Sequence, residues 1–245
     1  MSSNELENVY ADRQRAQAYA QLEFPGTYFL AFRDLPAIIA EHVSGTTALD
    51  FGCGTGRSTR FLQRLGFTTT GVDIAEEMLQ HARERDPSGE YLLVTEAGPS
   101  RLGRRDFDLV LAAFTFDNIP TLQLKAELLR QLGTMLSSTG RIINLVSAPE
   151  IYTHEWASFS TQDFPENHQA SNGSRVRIVM KDVDDSRPVE DILWTAKAYA
   201  EVYQRAGLGV VRTYKPLAKS SEPYAWVNET AIAPWVIYVL KSRPS

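Results

Sequence analysis

One cysteine, Cys53, serves all 245 residues. A single thiol can build neither an internal disulfide nor a cysteine zinc cluster. Long hydrophobic runs are also missing: no stretch reaches the roughly 18 apolar residues that a membrane-spanning helix needs. The opening segment, MSSNELENVYADRQRAQ, lacks the apolar core of a secretion signal, so the expected location is cytoplasmic, with no membrane partner. Positive charge is in short supply, with 25 Lys+Arg against 30 Asp+Glu and a net charge of −5. That deficit argues against a nucleic-acid partner, whose binding rests on basic surface. No repeat of 20–50 residues and no low-complexity linker is present, which sets aside solenoids and propellers. What remains is an ordinary globular composition, 43% hydrophobic and 22% charged, suited to an enzyme acting on a small molecule.

Short β-type runs alternate with helical patterns. Asp34 reads as an N-cap before Pro36, Ile38, Ile39 and Val43. Strand-like runs fall at 46–51, 67–72, 91–94, 107–113 and 141–146, with helical segments at 58–65, 76–85 and 122–136 between them. That order predicts βαβ units and a parallel sheet covered on both faces. A helix at 196–206 and strands at 210–214 and 235–240 follow, the last able to pair antiparallel. Residues 149–188 break the alternation; they are rich in aromatic and polar residues, and Asn172-Gly173 is a hairpin signal there.

The most informative segment is ALDFGCGTGRSTRFL, residues 48–62, in which a strand ends on Asp50, turns through glycines and enters a helix. Glycine lets the backbone turn sharply and approach a ligand without intervening Cβ atoms. The spacing is G-x-G-x-G over Gly52, Gly54 and Gly56. A dinucleotide fingerprint, G-x-G-x-x-G, would need its third glycine where Arg57 stands, and no Gly-Lys-Ser/Thr of a P-loop follows. Asp73 closes the next strand, 23 residues after Asp50, where a carboxylate can accept both hydroxyls of a ribose.

Four segments in this order, ALDFGCGTG, GVDIAEEML, FDLVLAAF and LSSTGRIINLV, resemble the class I S-adenosylmethionine-dependent methyltransferases of small-molecule type. The resemblance is strong over residues 46–148 and weak beyond. It implies a Rossmann-like, doubly wound α/β fold: a seven-stranded sheet, mostly parallel, with an antiparallel C-terminal strand. In that reading one domain spans 1–245, with an N-terminal helical lid at 1–45, a cofactor-binding core at 46–148, a substrate-covering insertion at 149–188 and a C-terminal helix and strands at 189–245. The resemblance implies S-adenosylmethionine as cofactor. Asp50, Gly52, Cys53, Gly54 and Gly56 form the loop at its methionine end, Asp73 holds the ribose, and Ile74 and Met78 lie against the adenine. Glu96 and Ala97 sit at the adenine edge, Phe114 beside the cofactor, and Arg33, in YFLAFRDLP, holds its carboxylate. Many relatives carry Asp where Glu96 stands.

Methyl transfer needs the acceptor aligned and water excluded, with a general base where the acceptor carries a proton. Asp117 is one candidate for that role, beside Phe116 and Asn118 just past the fourth strand. His154, in the insertion, is the other. Tyr152 and Trp156 with the N-terminal Tyr10 and Tyr19 complete the expected substrate contacts, rings being suited to a flat organic molecule. The motif of exocyclic-amine base methylation is missing after strand four, and cytosine C5 chemistry would need a cysteine outside the glycine loop. No metal is expected, since strand five offers only Asn144 beside Asp117. The expected reaction is methylation of a nitrogen or oxygen of an aromatic or heteroaromatic metabolite, for instance in natural-product biosynthesis, by a monomer or homodimer. The alternatives are a non-catalytic cofactor-binding subunit, a protein or RNA methyltransferase and, further off, a nicotinamide-dependent oxidoreductase.

Overall fold

A computed structural model describes residues 25–95, 98–103, 106–183 and 187–243. In chain order the elements are α1 (Thr27–Arg33), α2 (Leu35–His42), β1 (Thr47–Phe51), α3 (Arg57–Arg64), β2 (Thr68–Asp73), α4 (Glu76–Arg85), β3 (Glu90–Leu93), β4 (Phe107–Ala113), α5 (Leu122–Thr134), β5 (Leu136–Ser147), β6 (Phe159–Ser160), β7 (Arg175–Met180), β8 (Val189–Ile192), α6 (Ala196–Arg205), β9 (Leu208–Tyr214) and β10 (Trp235–Ser242). Seven strands form one sheet in the order β3-β2-β1-β4-β5-β10-β9. β1 pairs parallel with β2 and β4, whereas β10 runs antiparallel to both β5 and β9. The expected architecture, with its antiparallel C-terminal strand, is therefore present.

Side-chain alternation builds two cores from the same strands. Leu109, Leu111, Ile143, Leu145, Ile237 and Val239 face one side and pack with Leu30, Leu35, Ile38 and Ile39 of α1 and α2. Val110, Ile142, Val146, Val236 and Leu240 face the other and pack with Leu128, Leu129, Leu132 and Val202 of α5 and α6. Thr121 and Thr195 cap these last two helices, accepting from Leu124 N at 3.1 Å and Ala198 N at 3.4 Å. Asp34 occupies the N-cap position of α2 but does not cap it; the Arg33 guanidinium takes its carboxylate at 2.7–2.8 Å.

β6, β7 and β8 form a second, antiparallel sheet. It takes in Val189–Ile192, so the excursion from the main sheet runs on past residue 188. Asn172-Gly173 is not the hairpin turn. Gly173 N donates to Leu193 O at 3.0 Å and Asn172 Oδ1 accepts from Thr195 N at 2.8 Å, so the pair leads into β7 while the β7–β8 reversal lies after Met180. The turn chemistry was right in kind, and long-range pairing chose another place for the reversal. Among the described residues no helix is long and apolar enough to cross a membrane. Tyr10 and Tyr19, with most of the expected lid, lie outside the described residues, as do Glu96 and Ala97.

Candidate active site

The sheet order reverses between β1 and β4, so the loops leaving their C-terminal ends diverge and open a crevice. The cavity there has a volume of ≈ 370 Å³. Gly52, Gly54 and Gly56 all adopt positive φ, at 74°, 52° and 77°. The turn they make is clamped from several sides. Gly52 N and Cys53 N both donate to Val72 O, at 2.8 and 3.0 Å, Gly54 N donates to Asp73 Oδ2 at 2.8 Å, and Gly56 N donates to Cys53 O at 2.9 Å. Thr115 Oγ1 donates to Phe51 O at 2.7 Å, and a Cβ on Gly52 would stand 2.3 Å from that hydroxyl. A Cβ on Gly54, by contrast, would meet only the Met78 methyl, 3.2 Å away on the far cavity wall, so this glycine keeps open space that a ligand can enter.

Asp73 joins the two strand tips. Its Oδ2 accepts from Gly54 N and its Oδ1 from Ala75 N at 2.9 Å, leaving a second lone pair on each oxygen toward the cavity. Burial pushes its carboxyl up from the usual range, and the backbone N–H groups of Ala75, Gly54 and Ile74 pull it back. Ile74, Met78, Gly52, Cys53 and Phe114 line the same cavity, where the sequence reading put them. Cys53 is walled in, and burial pushes its thiol well up, which removes it as a nucleophile.

Several expected contacts are corrected. Asp50 is fully buried behind the loop and does not line the cavity. Its Oδ2 accepts from Ser58 Oγ at 2.7 Å and Thr59 Oγ1 at 2.6 Å, which ties β1 to α3, and burial pushes its carboxyl up to about 6. Gly56 also lies behind the cavity, close to Tyr91. Arg33 faces away, its guanidinium held by Asp34, by Glu222 at 2.6 Å and by Leu217 O at 3.1 Å. Two other arginines line the cavity, Arg175 of β7 and Arg57, the first residue of α3, whose guanidinium lies 5.2 Å from the Tyr28 ring centre and 5.6 Å from that of Phe32. The place of Arg57 directly after the glycine turn was a signal that went unused. Arg33→Ala should leave affinity for S-adenosylhomocysteine within twofold of wild type by calorimetry; a tenfold loss would restore Arg33 to the site.

The far end of the cavity is aromatic. Tyr28, Phe114, Phe159 and Trp235 pack edge to face or stacked, with centroids 4.8–5.8 Å apart. Phe114 reaches this group from a left-handed backbone, φ 64°, rare for a residue with a side chain and strained. Trp235 Nε1 donates to Thr27 O at 2.8 Å. Thr27 in turn donates to the buried Glu229, whose carboxylate also accepts from Ala157, Val227 and Asn228 N–H groups at 2.7–3.1 Å. This clamp ties α1, the insertion and the approach to β10 into one wall.

Tyr152, Asn118 and Asp117 reach the cavity as expected. Phe116 and Trp156 do not: both are fully buried, Phe116 against Phe51 and Trp156 with its Nε1 on Ile151 O at 2.8 Å. His154 also lies off the cavity, its Nδ1 3.1 Å from both Glu150 O and Thr153 Oγ1, so it is not placed to take a proton from an acceptor. What sequence reasoning missed is a charged cluster beside Asp117. Asp117 Oδ2 accepts from Ser147 N at 3.0 Å and its Oδ1 from Tyr199 OH at 3.4 Å. Asp191 of β8 lines the cavity and accepts from Tyr152 OH at 3.1 Å. Lys125, fully buried on α5, points its ammonium at Phe116 O and lies 5.4–5.5 Å from the Trp194 and Tyr199 ring centres. Burial pushes Asp117 up to about 6, against the pull of Lys125, and Asp191 up to about 7, helped by the like charge of Asp117. Burial pulls Lys125 down to about 7.

The comparisons with known proteins agree with this geometry. A family model described as "Methyltransferase domain" matches residues 49–144. A demethylmenaquinone methyltransferase of Tropheryma whipplei is 33% identical over 102 residues, 41% of each chain. A ubiquinone biosynthesis O-methyltransferase of Caulobacter vibrioides is 30% identical over 139 residues, 49% of this chain and 52% of that protein. The chain thus matches about half, or less, of the length of these curated relatives. Among solved structures, the CcbJ methyltransferase of Streptomyces caelestis superposes with a TM-score of 0.67 at 17% identity, covering 96% of this chain and 98% of the other. DesVI of Streptomyces venezuelae gives 0.61 at 18% identity, covering 96% and 98%. The chain matches the methyltransferase-domain model over residues 49–144, and its fold is that of solved S-adenosylmethionine-dependent methyltransferases.

Proposed function

We propose that this protein transfers a methyl group from S-adenosylmethionine to a nitrogen or oxygen of a small, flat metabolite. The observation that carries the reading is a single cavity that joins the glycine loop and Asp73 to an aromatic chamber walled by the insertion. Bound there, S-adenosylmethionine supplies an electrophilic methyl on a sulfonium, so the protein's task is alignment and exclusion of water. Asp73 accepts the ribose hydroxyls on its two remaining lone pairs. Met78 and Ile74 cover the adenine, and Arg57 stands where a carboxylate can be met. The amides of Gly52, Cys53, Gly54 and Gly56 all donate inside the protein, so these four are engaged and do not form a nest for a pyrophosphate.

Tyr28, Phe114, Phe159 and Trp235 offer apolar ring surface to the acceptor, and among the described residues Asp117, Glu190 and Asp191 offer carboxylates near it. Two relatives are named for quinone methylation, a flat-ring class that fits such walls. Enclosure by β7 and β8 favours a free small molecule over a protein or RNA chain. Isothermal calorimetry with S-adenosylhomocysteine tests the reading. Wild type should bind it, and Gly54→Val, whose side chain fills the space against Met78, should lose binding at least 30-fold; because a β-branched residue at φ 52° is strained and lowers the melting temperature, the titration is run well below the variant's own melt. Absence of binding by wild type, or equal binding by the variant, would remove the assignment.

A further inference from the structure

Asp117 and Asp191 reach the acceptor end of the cavity from different sheets, Asp117 just past β4 and Asp191 on β8. Their oxygens are not equally engaged. Both oxygens of Asp117 accept hydrogen bonds from the protein, from Ser147 N and Tyr199 OH. Asp191 accepts, among the described residues, from Tyr152 OH alone, through Oδ2. The residue lines the cavity, and its carboxylate keeps acceptor positions to spare. The charges around it come from every neighbouring element: Asp117, Lys125 of α5, Glu190 beside it on β8 and Arg175 of β7, which pairs with Glu190. Tyr152 and Tyr199 add hydroxyls without charge. Arg175 is paired with Glu190, the Lys125 ammonium is turned onto Phe116 O and two rings, and Arg57 lies over the Tyr28 and Phe32 rings. Asp191 therefore has Asp117 as an acidic neighbour and, among the described residues, no cation in hydrogen-bond contact, a setting in which a phenolate or carboxylate is repelled and an ammonium is held.

We propose that the methyl acceptor is an alkyl amine that arrives protonated, and that Asp191 binds it and takes its proton. The proposal deepens the methyl-transfer reading and rests on it. An ammonium has no lone pair with which to attack. One N–H proton passes to the Asp191 carboxylate, and the freed lone pair forms the nitrogen–carbon bond to the methyl. The electron pair of the breaking carbon–sulfur bond stays on sulfur. The methylated nitrogen leaves as an ammonium, and Asp191 returns its proton to water. A carboxyl held near neutrality by burial is suited to both halves of that exchange.

The test uses full-length protein saturated with S-adenosylhomocysteine and three probes of one shape: phenethylamine, 2-phenylethanol and 3-phenylpropanoate. Affinities are read by ligand-observed NMR. Phenethylamine should bind at least tenfold tighter than the alcohol, and the carboxylate most weakly. Asp191→Asn should bring the amine down to the level of the alcohol without changing affinity for S-adenosylhomocysteine. Tyr152→Phe removes one hydroxyl and keeps the ring, so it covers the case in which the first variant fails to fold. Losing that donor raises the Asp191 carboxyl further, and the rise of amine binding with pH between 6 and 8 should move to higher pH. The proposal is overturned if the alcohol or the carboxylate binds as well as the amine, if no amine binds, or if the preference survives Asp191→Asn or the pH profile stays put in Tyr152→Phe. Failure of S-adenosylhomocysteine to bind wild type would instead strike the underlying reading, and its titration is scored separately.

Discussion

Asp73→Ala should weaken binding of S-adenosylhomocysteine by at least 100-fold in a calorimetric titration. The carboxylate does two jobs at once. It accepts the N–H groups of Gly54 and Ala75, one on each oxygen, and so fixes the glycine turn against the next strand. In the proposed function it also holds the ribose, through acceptor positions that those two N–H groups leave open. Charge-assisted hydrogen bonds of this kind are worth about 1.5–3 kcal/mol each, and stranding a buried N–H costs about 1–3 kcal/mol. Partial relaxation of the loop lowers the sum, yet about 3–4 kcal/mol remains, which is two to three decades in affinity. Asp73→Asn should sit between the two, because an amide keeps one acceptor and loses the charge. A loss of less than fivefold in Asp73→Ala would mean that the ribose is held elsewhere.

Lys125→Met should cost about 3–5 kcal/mol of folding stability near pH 6.5, where Lys125 is still charged and the enclosed carboxylates are ionising, since it leaves them without their cation. For a domain of this size that lowers the melting temperature by roughly 10 °C. The cost depends on pH with a definite sign. Asp117 and Asp191 have folded-state values of about 6 and about 7, above the 3.8 of an unfolded aspartate. A carboxyl raised in this way is at its most favourable below the unfolded value and loses stability as pH rises through the folded one. Removing Lys125 raises both carboxyls further, because its charge, with the hydrogen bonds of Tyr152, Ser147 and Tyr199, holds them down. The gap between wild type and variant should therefore be small at pH 5, where the carboxyls are protonated, widest between about pH 6 and 7, and narrower again by pH 8, where Lys125, at about 7, has given up its proton. Thermal melts across that range decide it; a gap of one size at every pH would make Lys125 a packing residue whose charge is immaterial.

The cofactor half of the site was legible because it is local. A glycine turn and an acid at adjacent strand tips are written within 26 consecutive residues, and the hydrophobic runs that form the strands announce the sheet that places them. The acceptor half is assembled from far apart. Asp191 meets Tyr152 across 39 positions, Tyr199 meets Asp117 across 82, and Thr27 meets Glu229 across 202. No periodicity records such meetings. Within the insertion, Tyr152 faces the cavity while Trp156, four residues on, is core, because the chain there is a short 3-10 turn and a loop rather than a helix with a repeating face. His154 and Arg33 were credible by residue type alone; each is turned aside by a nearby hydrogen-bond partner that the sequence does not reveal as a neighbour.

The position of β10 bears on how the molecule comes together in time. β9 precedes it in the chain yet touches the sheet only through it, and β10 reaches β5 across 90 residues, as the pairing of Val236 with Val146 records. A segment spanning that distance is slow to close, since the entropy of a large loop is surrendered before any contact repays it. Until Trp235–Ser242 docks, the edge of β5 stands open and Leu208–Tyr214 has no rung to join. Trp235 begins that strand and also walls the acceptor chamber, so completing the sheet and finishing the active site are one event, and a nascent chain that has already shaped its cofactor loop still has nowhere to seat a substrate.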